Sequence, residues 1–141
     1  MPSIASLPRA EDPDLASLPM PRILLIEDDQ SVRSFMRRAL QRAGHESIEA
    51  EDGCAGLDQL SGSTFDLVIT DLVMPKMEGI ELILRLRRSQ PDLPVIAVSG
   101  GGRMPPKIYL DVAQTCGAAR VLAKPFAVEE LLAAVEAVLK A

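Results

Sequence analysis

Side chains able to do chemistry recur in this chain directly after short apolar runs. Glu27, Asp28 and Asp29 follow RILLI, Asp71 follows FDLVIT, Ser99 follows LPVIAV and Lys124 follows ARVLA. Carboxylates brought to one spot repel, and unaided at least one of them holds its proton. A hard divalent cation such as Mg²⁺ relieves that repulsion and takes oxygen ligands in an octahedron. An ammonium and a hydroxyl beside such a centre suit an attacking carboxylate whose target is a phosphoryl group. Asp71, which ends the central apolar run, is the nucleophile candidate, and the product is an aspartyl phosphate. A charge at the end of a single strand is ordinarily only solvated. Four strand ends that share one chemistry make a site.

The elements that must position these residues follow from periodicity. RILLIE is apolar without alternation, as in a strand covered on both faces. In SVRSFMRRALQRAG, Val32, Phe35, Met36, Ala39, Leu40 and Ala43 form one helical stripe. Arg33, Arg37, Arg38 and Arg42 fall mostly opposite, on a solvated face able to meet an acidic partner. Asp29 suits the N-cap, and Gly44 closes the helix. The pattern repeats with ESIEA and GCAGLDQLSG, FDLVIT and EGIELILRLRRS, LPVIAVS and PPKIYLDVAQTCG, then ARVLA and VEELLAAVEAVLKA. Strand–helix alternation with short connections predicts an α/β fold with a parallel sheet and helices on both faces. Ligands then bind at the carboxyl ends of the strands, where the reactive residues stand.

With 141 residues, 48% of them hydrophobic, the chain can bury one sizeable core. Aromatics are 3%, so aliphatic side chains must fill it. The net charge of −5 argues against a general nucleic-acid binder. No apolar run approaches the roughly 20 residues that cross a bilayer, and no secretory signal opens the chain, so the expected compartment is the cytoplasm. Cys54 and Cys116 lack metal-ligand spacing and read as small, buried or half-buried thiols. The lone His45, after Gly44, suits a surface turn and cannot by itself supply a metal site or a catalytic triad. Residues 1–20 carry four prolines without periodicity and read as a flexible tail before a domain at 21–141.

The ordered motifs ILLIEDD, DLVITDLVMPKMEG, PVIAVSG and LAKPF resemble the receiver domain of bacterial two-component response regulators, over residues 22–140. Each motif alone is weak, and their combination is specific. The resemblance implies a flavodoxin-like (βα)5 three-layer sandwich with a five-stranded sheet in the order 2-1-3-4-5. It implies Asp71 as phosphoacceptor, Asp28 as direct Mg²⁺ ligand, Glu27 acting through water, and the Val73 backbone carbonyl as a further ligand. Ser99 matches the hydroxyl residue that moves toward the phosphoryl group, and Lys124 the family's lysine, with a cis Lys124–Pro125 peptide. The implied partners are a sensor histidine kinase or a histidine phosphotransfer protein, docking near the first helix and the loop after strand five. The output is protein binding or onward phosphorelay, with no direct contact to nucleic acid and no membrane insertion. Pro75 would fix the turn after Asp71, and Gly79 would allow tight backbone geometry beside it.

Departures from the family pattern are local. Val121 stands where the family commonly has an aromatic ring that swings inward. SGGGRMPP, with Gly100–Gly102, reads either as a plain linker or as a switch loop, and it lacks the Gly-Lys-Ser/Thr of a phosphate-binding P-loop. Val73 and Gly101 leave two rim positions without polar side chains. An aspartate-nucleophile phosphatase would need an acid at position 73, so the chain is expected to be a phosphoacceptor rather than an enzyme acting on other substrates. With Ala141 directly after the last helix, a stand-alone receiver, or a receiver piece of a longer protein, is expected. The alternative is a pseudo-receiver that binds partners without phosphorylation.

Overall fold

In the computed structural model, residues 20–74, 77–100 and 105–140 are described. The expectations for the tail over 1–19, for Pro75, and for Gly101 and Gly102 lie outside the described residues. Strands and helices alternate as β1 (Arg22–Ile26), α1 (Gln30–Arg42), β2 (Glu46–Ala50), α2 (Gly53–Gly62), β3 (Leu67–Asp71), α3 (Gly79–Ser89), β4 (Val95–Ser99), α4 (Pro106–Cys116), β5 (Arg120–Ala123) and α5 (Val128–Leu139). The strands form one parallel sheet in the order β2-β1-β3-β4-β5. This is the flavodoxin-like order that the resemblance implies.

The unbroken apolar runs are split between two faces by the two-residue period of a strand. Leu24, Ile26, Val68, Val95 and Ala97 meet Leu60 of α2, Leu82, Ile83 and Leu86 of α3, and Leu110 and Ala113 of α4. Ile23, Leu25, Leu67, Ile69, Ile96 and Val98 meet Met36, Ala39 and Leu40 of α1 and Leu131 and Val135 of α5. Both faces are therefore sealed, each large aliphatic side chain contributing roughly 1.5–3 kcal/mol on burial. The chain passes from β1 outward to β2 and returns to place β3 on the other side of β1. The crevice outside the carboxyl ends of β1 and β3 lies at that reversal.

Four expectations need correction. Within the α1 stripe Met36, Ala39 and Leu40 are buried, but Phe35 is 42% exposed and Ala43 lies past the last helical turn. Phe35 sits at the edge of the stripe and leans on Phe126, with ring centroids 6.4 Å apart. Cys54 is exposed and Cys116 half-buried, both as free thiols. Here α2 turns Gly53, Gly56 and Leu60 inward, which carries Cys54 to the outside. Arg33 is not a solvated surface charge; its partners are described with the site. His45 follows the turn at Ala43 and Gly44 and is half-buried rather than at the surface, and burial lowers its pKa against the opposing pull of Glu136. No helix among the described residues is long and apolar enough to cross a membrane.

Candidate functional site

Each reactive side chain stands where a strand ends. The β1 chain continues one residue past its last apolar position, the Glu27 amide donating to the Ala50 carbonyl at 3.0 Å. This holds the Glu27 side chain inside, 2% exposed, while Asp28 is left exposed. Asp29 turns away from the site and caps α1, its Oδ1 accepting from the amides of Ser31 and Val32 at 2.9 and 3.1 Å. In β3, Asp71 is 8% exposed, and its Oδ1 accepts from the Val73 amide at 3.2 Å. Val73 thus stands directly beside the acceptor, in the half-buried turn after it.

Gly79 supports this turn. Its amide donates to the Leu72 carbonyl at 3.0 Å, and a Cβ there would lie 2.3 Å from the Asp71 carbonyl oxygen. On the far side of Asp71, β4 pairs Val98 with Asp71 and delivers the next residue, Ser99. Ser99 is fully buried, with no hydrogen-bond partner for its hydroxyl. The Lys124 amide donates to the Ser99 carbonyl at 2.9 Å. The Lys124–Pro125 peptide is cis, as the resemblance implies.

The lysine ties the acidic groups together. Lys124 Nζ lies 2.5 Å from Glu27 Oε1 and 2.9 Å from Asp71 Oδ2. The Glu27 pKa is raised from 4.5 to about 7, chiefly by burial; the Lys124 hydrogen bond lowers it and Asp71 raises it further. For Lys124, burial lowers the pKa, but hydrogen bonds to Glu27 and Asp71 outweigh burial and leave it above 10.5.

A raised carboxyl pKa means that the folded chain binds more protons than the unfolded chain between the two values, so stability falls as pH rises through that window. The metal-free protein is therefore expected to lose thermal stability between pH 4.5 and about 7, with Glu27→Gln flattening the slope. Melting curves of both proteins at pH 5 and pH 7.5 check this, and equal slopes would overturn it.

One carboxylate oxygen each from Glu27, Asp28 and Asp71 lie within 4.8 Å of one another. Glu27 Oε2 is buried without a hydrogen-bond partner. An all-oxygen donor set, carrying more negative charge than one lysine offsets, fits a hard divalent cation such as Mg²⁺. The residues singled out for the chemistry thus come together, with Asp29 in its capping role.

Two neighbours were not picked out for a role in the site. Arg33 Nη1 donates to the Glu27 carbonyl at 2.7 Å. Gly100, set apart only as part of a loop, lies so near Lys124 that a Cβ there would be 2.4 Å from the lysine Cβ. The available signal for Gly100 was its place directly after Ser99, at the end of β4.

Comparison with known proteins agrees with this geometry. The family model described as response regulator receiver domain matches residues 23–136. Response regulator receiver protein CpdR of Brucella abortus is 36% identical over 120 residues, which are 85% of this chain and 98% of that protein. Response regulator MprA of Mycobacterium sp. (strain KMS) is 37% identical over 120 residues, 84% of this chain but only 50% of MprA, so the match spans half of that longer protein. Among solved structures, chemotaxis response regulator CheY4 of Vibrio cholerae superposes with a TM-score of 0.74 at 31% identity, covering 85% of this chain and 99% of that one. A response regulator receiver domain protein from Clostridium thermocellum gives 0.79 at 26% identity, covering 86% and 95%. With the acidic cluster, the bridging lysine and the strand order in place, the chain belongs to the response regulator receiver domain family.

Proposed function

We propose that this receiver accepts a phosphoryl group on Asp71 from a histidine kinase or histidine phosphotransfer protein in a Mg²⁺-dependent reaction. The observation that carries this reading is the bridge of Lys124 between Glu27 and Asp71, at the rim of a three-carboxylate cluster. Asp28 and Asp71, with the Val73 carbonyl, would hold the cation, and Glu27 would act through water. Bound there, Mg²⁺ supplies charge that offsets the phosphoryl oxygens.

The chain's own residues do the rest. A carboxylate oxygen of Asp71 attacks phosphorus as the bond from phosphorus to the donor breaks, and the donor leaves with that electron pair. Lys124 moves its ammonium from the two carboxylates to a phosphoryl oxygen, and the Ser99 hydroxyl donates to another. The donor approaches beside Lys124, over a cleft of about 330 Å³ lined by Val32, Phe35, Gly100, Pro125 and Phe126. Residues 21–141 form the receiver domain in this reading, and its output is protein binding or onward phosphorelay.

Intact mass after incubation with acetyl phosphate and Mg²⁺ tests the proposal. The wild-type chain is expected to gain about 80 Da, one phosphoryl group, in a hydroxylamine-labile form, and only with metal. Asp71→Asn is expected to gain nothing. Val121 favours a second reading, a pseudo-receiver, because a half-buried valine packed on the core has no ring to reorient. No mass gain from acetyl phosphate or from a phosphorylated histidine donor, in a folded protein, would select it.

A further inference from the structure

The loop that carries Asp28 is held by hydrogen bonds on both sides of that residue. Before it, the Glu27 amide is bound to Ala50 of β2. After it, the Asp29 side chain holds the Ser31 and Val32 amides, and the Asp29 carbonyl accepts from the Arg33 amide at 2.9 Å. The Glu27 carbonyl belongs to the peptide leading into Asp28. It accepts from Arg33 Nη1 at 2.7 Å. The same guanidinium faces β2, with Arg33 Nε 3.5 Å from Glu49 Oε1. Glu49 is also approached by Arg37 at 3.7 Å, so two cations share it. The Arg33 side chain is only 17% exposed, although it projects from a helix face otherwise rich in arginine.

An arginine fork fits this task. It offers several donors in one rigid plane, so one edge can hold a carbonyl while another meets a carboxylate. A charged donor on a neutral carbonyl is among the stronger hydrogen bonds. The bond fixes the plane of the Glu27–Asp28 peptide, and with it the direction in which both side chains leave the backbone. Glu27 and Asp28 supply two of the three clustered carboxylates. Partners that touch no metal but orient its ligands commonly change metal affinity by about 10- to 100-fold when removed.

We infer that Arg33 is a positioning residue for the acidic cluster, clamping the Glu27–Asp28 peptide to Glu49 of β2 so that the carboxylates are preset for a divalent cation. This rests on the proposed cation site and adds to it a determinant on α1. It also makes Glu49 a remote handle on the site: loosening its hold on the guanidinium should weaken the clamp without touching any ligand.

The test is calorimetric titration of Mg²⁺ into the full chain, alongside melting of the metal-free proteins. Wild type, Arg33→Met, Arg33→Lys and Glu49→Gln are compared. Arg33→Met is expected to raise the Mg²⁺ Kd by about 10- to 100-fold. Arg33→Lys keeps a single donor and should recover part of that loss, and Glu49→Gln should fall between wild type and Arg33→Met. A residue that only supports the fold would lower the melting temperature and leave the Kd of the folded protein unchanged. A Kd within about threefold of wild type in folded Arg33→Met, below the range expected for a lost orienting partner, would overturn the inference. If Arg33→Met does not fold, Arg33→Lys carries the same threshold. Should wild type itself bind no Mg²⁺, the cation site fails and the clamp fails with it; wild-type binding with unaltered variants removes the clamp alone.

Discussion

Replacing Lys124 with methionine is expected to slow phosphoryl uptake from acetyl phosphate by about 100-fold, the usual scale for removing one preorganised electrostatic group from a transition state. Methionine keeps an unbranched apolar stem and removes the charge. The rate falls because the ammonium that bridges Glu27 and Asp71 at 2.5 and 2.9 Å is the group proposed to follow the developing negative charge on phosphorus. Stability falls as well. Glu27 and Asp71 are left facing each other at 2% and 8% exposure with no cation between them. Removing one partner from a fully buried ion pair costs roughly 3–5 kcal/mol. The loss here should be smaller, because the lysine side chain is 23% exposed and Glu27 can take up a proton. The sign of the pH dependence follows. At low pH Glu27 is protonated and the lysine has less charge to offset. Above about 7, where Glu27 ionises, the destabilisation is greatest. The Lys124 pKa is raised, so its own contribution persists up to 10.5 and is lost only as pH climbs through the higher folded value. Time courses of intact mass, with urea melts of both proteins at pH 5 and pH 8, check both effects. An uptake rate within about threefold of wild type, far from the scale of a lost electrostatic group, would remove Lys124 from the reaction.

The fold was legible where local chemistry and tertiary role agree. RILLI, LVITD and VIAVS read as strands because both of their faces are buried, so nearly every position is apolar or small. Helix starts were legible where a capping side chain is obligatory, as at Asp29. Strand order was not a local property. Nothing in ESIEA says that it lies beside β1 rather than β4, and the order came from the resemblance of the whole motif set. Short α2 was readable between turn signals, but not the way it packs. Gly56 lets the Ile26 side chain approach to within 2.5 Å of where a Cβ would be, and that contact exists only once β1 and α2 are assembled.

The site was legible because its residues are strand ends, and the end of an apolar run can be seen in one dimension. Arg33 was invisible for a geometric reason. A helical stripe assigns residues by angle around the axis, and by angle Arg33 belongs with Arg37 on the polar side. Side chains on a helix also lean toward its N-terminus. From the first turn of α1 a long arginine reaches back past the cap to the Glu27 carbonyl, a displacement along the axis that an angular pattern does not contain. Phe35 misled in the opposite direction. Its type argued for burial, yet its place at the stripe edge leaves it beside Phe126 on the rim of the cleft next to Lys124.

Gly79→Ala is expected to cost about 1–3 kcal/mol or more, the range for overpacking, and to suppress phosphoryl uptake in whatever protein still folds. The added methyl would lie 2.3 Å from the Asp71 carbonyl oxygen and 2.8 Å from the Leu72 Cα. Both obstacles are backbone, so no side-chain rotation clears them. Either the start of α3 moves away from β3, breaking the bond from the Gly79 amide to the Leu72 carbonyl, or the end of β3 moves. In the second case Asp71 shifts relative to Lys124, and a misplacement of about 1 Å at a reacting group can cost on the order of 100-fold in rate. Gly62→Ala is the matched control. Gly62 lies in the last turn of α2 with nothing within 4 Å of the added methyl, so alanine there should leave uptake unchanged and stabilise by up to about 1 kcal/mol through helix propensity. Urea melts and intact-mass time courses on the two variants separate a general intolerance of glycine replacement from a specific constraint on the Asp71 turn. Wild-type stability and uptake in Gly79→Ala would mean that the approach of α3 to β3 does not fix the acceptor. Loss in Gly79→Ala beside an unaffected Gly62→Ala places that constraint at the close contact behind the acceptor.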